Sequence, residues 1–249
     1  MHTPPASRAR LESALAPHGL RVRGGWVPTA SDVLPLLSGS QSAVVVWMVG
    51  QVGSECWSAF SASPFFSDGL PDPMDRWSKS IGDALAQELD GVALYPSDGP
   101  PYHPFQQWSQ RAEPLQTSPL MLQIHPEYGL WHACRFALLL PQYVAQDASV
   151  IARRAGLADA DLCLNCNGQP CLGACPVRAF TPGRYDVDSC AVHLQSADGQ
   201  PCTQTGCLAR RACPVAAQYR YSAAHAAFHM AAFANRHSDA AGQPGKKSR

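Results

Sequence analysis

Two apolar periods organise the first two thirds of the chain. Continuous apolar runs of strand length occur at "SAVVVWMVG" (residues 42–50) and "FALLLP" (136–141), and both are far shorter than the ~20 residues a membrane helix needs. A helical period runs through "DPMDRWSKSIGDALAQELDG" (72–91), where Met74, Trp77, Ile81, Leu85 and Leu89 recur three and four apart. Asp72 stands at the capping position, Pro73 suits the first turn, Asp75 favours it too, and Gly91 follows the end. Residues 9–20 predict a shorter helix stopped at Gly19, followed by an extended "RVRGGWVP" (21–28). "VALYPSDGPPYHPFQQWSQRAEP" (92–114) reads as a strand, a proline-rich turn and a short helix from Phe105 to Arg111. "SPLMLQIHPEYGLWHACRFALLLP" (118–141) reads as two strands joined at the His-Pro-Glu-Tyr-Gly turn. The elements predict an α+β layer structure with one face of the long helix on a sheet.

At 249 residues the chain can bury one large core, or a medium core plus a small domain. Nineteen basic residues balance nineteen acidic ones, so no global field draws it to nucleic acid or an anionic membrane. The first residues have no apolar stretch ahead of a small-residue cleavage site, which predicts a cytoplasmic protein. There is no internal repeat and no glycine-rich phosphate loop.

Cysteine changes the picture. Of ten cysteines, Cys56 and Cys134 stand alone, and eight lie between Cys163 and Cys213. In a reducing compartment such a cluster points to metal rather than to a disulfide framework. Cys163, Cys166, Cys171 and Cys175 form CxxCxxxxCxxxC followed by Pro176; Cys190, Cys202, Cys207 and Cys213 follow, the last ahead of Pro214. Iron-sulfur cubanes take four thiolates, and in two-cluster ferredoxins the cysteine before proline crosses to the other cluster. This predicts one 4Fe-4S cluster on Cys163, Cys166, Cys171 and Cys213, and a second on Cys175, Cys190, Cys202 and Cys207. Structural zinc is the alternative, although zinc ribbons show two tight pairs and only Cys163/Cys166 make one here.

On these motifs, Leu162 to about Tyr219 resembles bacterial two-cluster 4Fe-4S ferredoxin domains, in particular the one that ends the epoxyqueuosine reductases. "IHPEYGLWHACRFALLLPQ" (124–142) is similar to a segment of the CblC family of cobalamin-processing proteins, with His125, Pro126, Gly129, Trp131, Arg135 and the Leu-Leu-Pro end in step. Together the resemblances imply a nitroreductase-like or CblC-like α+β domain over residues 1–155, a dicluster ferredoxin-like domain over 156–220, and a helical tail with a disordered end over 221–249. They imply a corrinoid (cobalamin) site with Arg135 on its wall. The aspartate-bearing Asp-Ser/Thr-Gly-Pro stretch of epoxyqueuosine reductases is missing, so queuosine synthesis is not expected.

The expected function is an iron-sulfur redox protein that passes electrons through two clusters to or from a site in the N-terminal domain, served by a redox partner protein or a small-molecule donor. The alternative is a plain electron carrier whose N-terminal domain docks a partner. Arg135 lies in an apolar strand, where a charge needs either an ion pair or a ligand. Cys56 and Cys134 read as core thiols, and His125 as a structural hydrogen-bonding residue. His225 and His229, four apart, mark a docking or surface helix more readily than half of a metal site.

Overall fold

In the computed structural model, which describes residues 7–152, 161–181 and 183–237, the fold is mixed α+β. The strands are β1 (Arg21–Trp26), β2 (Val45–Val52), β3 (Val92–Leu94), β4 (Gln116–Thr117), β5 (Gln123–Ile124), β6 (His132–Leu140), β7 (Phe180–Thr181) and β8 (Arg184–Tyr185). The helices are α1 (Arg8–Leu15), α2 (Trp57–Ser61), α3 (Pro64–Ser67), α4 (Pro73–Glu88), α5 (Phe105–Ala112), α6 (Ala148–Ala152), α7 (Pro170–Gly173), α8 (Val187–Gln195), α9 (Gln200–Thr205), α10 (Leu208–Arg211) and α11 (Ala223–Arg236). The chain divides into two compact units, the first spanning residues 1–115 and 132–159, the second 116–131 and 160–249.

The first unit is an antiparallel sheet in the order β1-β2-β6-β3. The apolar run that predicts β2 is there because every residue of this strand is buried. Val46, Met48, Ala137 and Leu139 point to one face, where they pack with Phe105 and Trp108 of α5. Trp47, Phe136 and Leu138 are also fully buried, and alternation sends them to the opposite face, where α4 packs on β3 and β6. Tyr95, directly after β3, donates to the Lys79 carbonyl and the Asp83 carboxylate of α4 (3.0 and 2.8 Å). A Cβ at Gly82 would lie 2.4 Å from that hydroxyl, so the helix sits this close only because residue 82 is glycine.

Met74, Trp77, Ile81 and Leu85 form the buried stripe of α4, as the spacing predicts. The expected cap differs: Asp72 occupies the N-cap position in a left-handed conformation, and its side chain makes no capping hydrogen bond. Pro73, with its preset φ, starts the helix instead.

In the second unit β4 pairs with β5 and β7 with β8. The two strands expected to meet at His-Pro-Glu-Tyr-Gly therefore do not pair with each other: β5 joins β4, and β6 joins the sheet of the first unit. His125 and Gly129 exchange backbone hydrogen bonds of 2.9 and 2.8 Å, which closes the turn. Gly129 has φ 58°, and a Cβ there would stand 2.4 Å from the Val215 carbonyl oxygen.

Residues 116–131, read from sequence as part of the first domain, thus belong with the cysteine segment. Leu120, Ile124 and Leu130 share one core with Cys175, Ala209 and Cys213. Helix α11, read as a tail, packs on α8 and α9. The expected boundary near residue 155 and the expected disordered end at 239–249 lie outside the described residues.

Candidate functional site

The eight clustered cysteines fall into two groups of four. Cys163, Cys166, Cys171 and Cys213 line one small pocket, partly open to solvent, whose other walls include Leu120, Ile124 and Leu130. Burial, then the nearby charges of Cys213, Asp161, Cys171 and Cys166, push the Cys163 thiol up to about 11. Cys171 is raised by burial, with Cys213 and Cys166 as its charged neighbours.

Cys175, Cys190, Cys202 and Cys207 are linked by their mutual electrostatic influence and that on Tyr185. Burial raises Cys190, with Cys175 and Cys202 adding to the effect, while the Tyr185 hydroxyl opposes it by hydrogen bonding to the sulfur. Cys207 is raised by burial and by Cys202 and Cys190. The cysteine neighbours of Cys163, Cys171 and Cys213 lie in the first set and those of Cys190 and Cys207 in the second, the sets that crossed ligation pairs.

Local structure presents these sulfurs to donors. Most of the cysteines sit at helix ends or in the turns beside them, where backbone amides are left over by the helix. The Ala179 N–H donates to Cys175 Sγ at 3.3 Å. Leu172 donates to Cys171, Val215 to Cys213, and Ala209 and Arg210 to Cys207. Such N–H groups stabilise thiolate charge. Thiols that resist ionising because of burial, as Cys163 and Cys171 do, take up a metal by exchanging protons for its positive charge.

All ten cysteines are free thiols. Among the described residues, no three His, Cys, Asp or Glu side chains gather closely enough to hold a single metal ion. A zinc ion with Zn–S bonds of about 2.3 Å draws its sulfurs to within about 4 Å of each other. The pocket of the first group contains an orphaned polar atom: Ser118, 4% exposed, lines it, and its Oγ has no hydrogen-bond partner. A buried hydroxyl left this way costs about 1–3 kcal/mol. Four thiols around one pocket, with backbone N–H groups on Cys171 and Cys213, are a donor set of the kind a 4Fe-4S cluster takes.

Arg210, between Cys207 and Cys213, donates through Nε to the Leu130 carbonyl at 3.2 Å and lies over the rings of Trp131 and Tyr221 at 4.8 and 4.5 Å. It ties residues 116–131 to the cysteine loops. His125 accepts from the Glu127 and Tyr128 amides through Nδ1 (3.0 and 3.3 Å), which is a structural role. His225 is fully buried, stacked on Tyr221 at 4.2 Å and 3.0 Å from His229 between the two Nε2 atoms. Helix α11 is thus a docked helix of the second unit.

In the first unit Arg135 is the extra residue of a β-bulge, since Cys134 pairs with Gly50 and Phe136 with Val49. Its Nε donates to Gln51 Oε1 at 2.6 Å. Gln51 is itself fully buried, and its Nε2 has no hydrogen-bond partner. Arg135 and Gln51 together leave donors at this spot for an acceptor, which is the observation that fits an anionic or polar ligand group. Cys134 packs against the α5 cluster and lies 3.1 Å from Ser109 Oγ, and Cys56 is fully buried, so both are core thiols.

Sequence reading missed the buried pair of Arg23 and Glu113, 2.8 Å apart with side chains 1% and 4% exposed. Arg23 also donates to the Gln51 carbonyl at 2.8 Å, so this pair and Arg135 meet at one residue. Burial pushes the Glu113 carboxyl up to about 7, against the opposing pull of Arg23.

Among the described residues no helix is long and apolar enough to cross a membrane. No protein-family model matches the chain, and no characterised protein matches it.

Proposed function

We propose that this is an iron-sulfur redox protein. One 4Fe-4S cluster would be held by Cys163, Cys166, Cys171 and Cys213, and a second by Cys175, Cys190, Cys202 and Cys207. The single observation behind this reading is the sorting of eight thiols into two groups of four, with Cys213 joining the first run and Cys175 leaving it for the second group. Bound clusters would supply one-electron transfer. The chain's own part is to orient the thiolates, to point backbone N–H groups at them, and to shield them with Leu120, Ile124 and Leu130.

The electrons would serve a site in the first unit, a corrinoid site with Arg135 on its wall. The bulge at Arg135 and the unspent donor on Gln51 support this part, because bulges re-aim side chains next to functional sites. A plain electron carrier with a docking domain is the second reading, favoured by the Arg135–Gln51 bond, which already gives the charge a structural partner.

Electron paramagnetic resonance of the anaerobically reconstituted, dithionite-reduced chain tests the redox reading. Signals of two low-potential clusters are expected. A chain that takes up iron and sulfide but gives no reducible signal overturns electron transfer as its function.

A further inference from the structure

Ser118 is the polar side chain of the first pocket that the thiol chemistry leaves unused. Apart from the four cysteines, the pocket is lined almost wholly by apolar residues, and Gln169, the other polar one, donates through Nε2 to the Cys163 carbonyl at 3.1 Å. Ser118 has no such outlet: its hydroxyl is buried without a partner. Its backbone is pinned, the N–H donating to the Leu122 carbonyl at 2.8 Å and the carbonyl accepting from Met121 at 2.9 Å. Pro119 further restricts residue 118 to extended conformations. The adjoining β4 is fastened to the start of the cysteine loop, since Gln116 Oε1 accepts from the Leu162 amide at 3.1 Å. The acceptors that the pocket's side chains offer such a hydroxyl are the four cysteine sulfurs and Gln169 Oε1, and the Gln169 side chain is already held by the Cys163 carbonyl.

We infer that the Ser118 hydroxyl donates a hydrogen bond to sulfur at the first site and thereby raises the reduction potential of the cluster held there. The inference rests on the proposed cluster reading and adds a residue from outside the cysteine motif, on a segment the sequence assigns to another domain. Reduction adds negative charge to the sulfurs, so a donor stabilises the reduced form more than the oxidised one. Ser118 is a tuning residue; it ligates nothing.

The test uses the full chain, reconstituted without oxygen, as the parent protein, Ser118→Ala and Ser118→Thr. Iron and sulfide contents should be the same in all three. In Ser118→Ala one of the two clusters should become harder to reduce by about tenfold in its equilibrium, which is about 59 mV for one electron. Ser118→Thr, which keeps the hydroxyl, should stay near the parent. Pulsed electron resonance in D2O should show an exchangeable proton coupled to that cluster in the parent and in Ser118→Thr, absent in Ser118→Ala. Full iron with both potentials and the proton coupling unchanged in Ser118→Ala overturns the role of Ser118 alone. No iron uptake by the parent overturns the cluster reading beneath it.

Discussion

Cys163 and Cys213 stand at opposite ends of the cysteine-rich segment and line the same pocket, and after burial the charge of Cys213 is the strongest influence on the Cys163 thiol. Helix α10 and the turn at Pro214 bring Cys213 back to the first loop, while Cys175, four residues beyond Cys171, leaves that loop for the group of Cys190 and Cys207. This exchange links the two halves of the segment.

Crossed grouping predicts crossed losses. Cys213→Ser should remove the cluster of Cys163, Cys166 and Cys171, so that iron falls from about eight to about four per chain, while Cys175→Ser should remove the other. Iron analysis with Mössbauer spectra of each variant checks this. A Cys213→Ser protein whose first cluster is spectroscopically intact contradicts the grouping.

The crowding of eight cysteines between Cys163 and Cys213 could be read from sequence, because it is a local pattern. Which core residues 116–131 join could not. Leu120, Ile124 and Leu130 have the periodicity of strand residues, and periodicity states that a face is buried without stating against what. The resemblance over residues 124–142 runs across this division, with Gly129 against Val215 in the second unit and Arg135 in the sheet of the first. The Arg23–Glu113 pair is invisible for a related reason: its members are 90 positions apart, and neither stands in a motif. The apolar run of β2 and the stripe of α4 are legible because each is a local pattern with a single solution.

The buried pair predicts a stability change that can be read in the first unit, which holds five of the six tryptophans. Arg23→Met removes the charge that holds the Glu113 carboxyl down, so it should cost up to about 3–5 kcal/mol above neutral pH, where the carboxylate is stranded, and less where the carboxyl is protonated. Glu113 is raised from its ordinary 4.5 to about 7 in the folded chain, so folding favours its protonated form. Its contribution is therefore full below about 4.5 and is lost as pH rises through about 7. Urea unfolding followed by tryptophan fluorescence should show stability falling across this window relative to Glu113→Gln. A parent and variant with parallel pH profiles would remove the basis for this prediction.

The corrinoid site is tested at Arg135. Aquocobalamin and cob(II)alamin added to the reconstituted chain should shift the corrin absorption and bind at micromolar protein. Arg135→Ala should weaken binding by roughly tenfold, the scale of one charge-assisted hydrogen bond. A corrin spectrum unchanged by the protein leaves the electron-carrier reading in place.

The most direct measurement is the metal and sulfide content of the full chain purified and reconstituted without oxygen. Two cubanes on two groups of four thiols require about eight iron and about eight acid-labile sulfide per chain, with zinc below stoichiometry. Stoichiometric zinc with little iron would contradict the account.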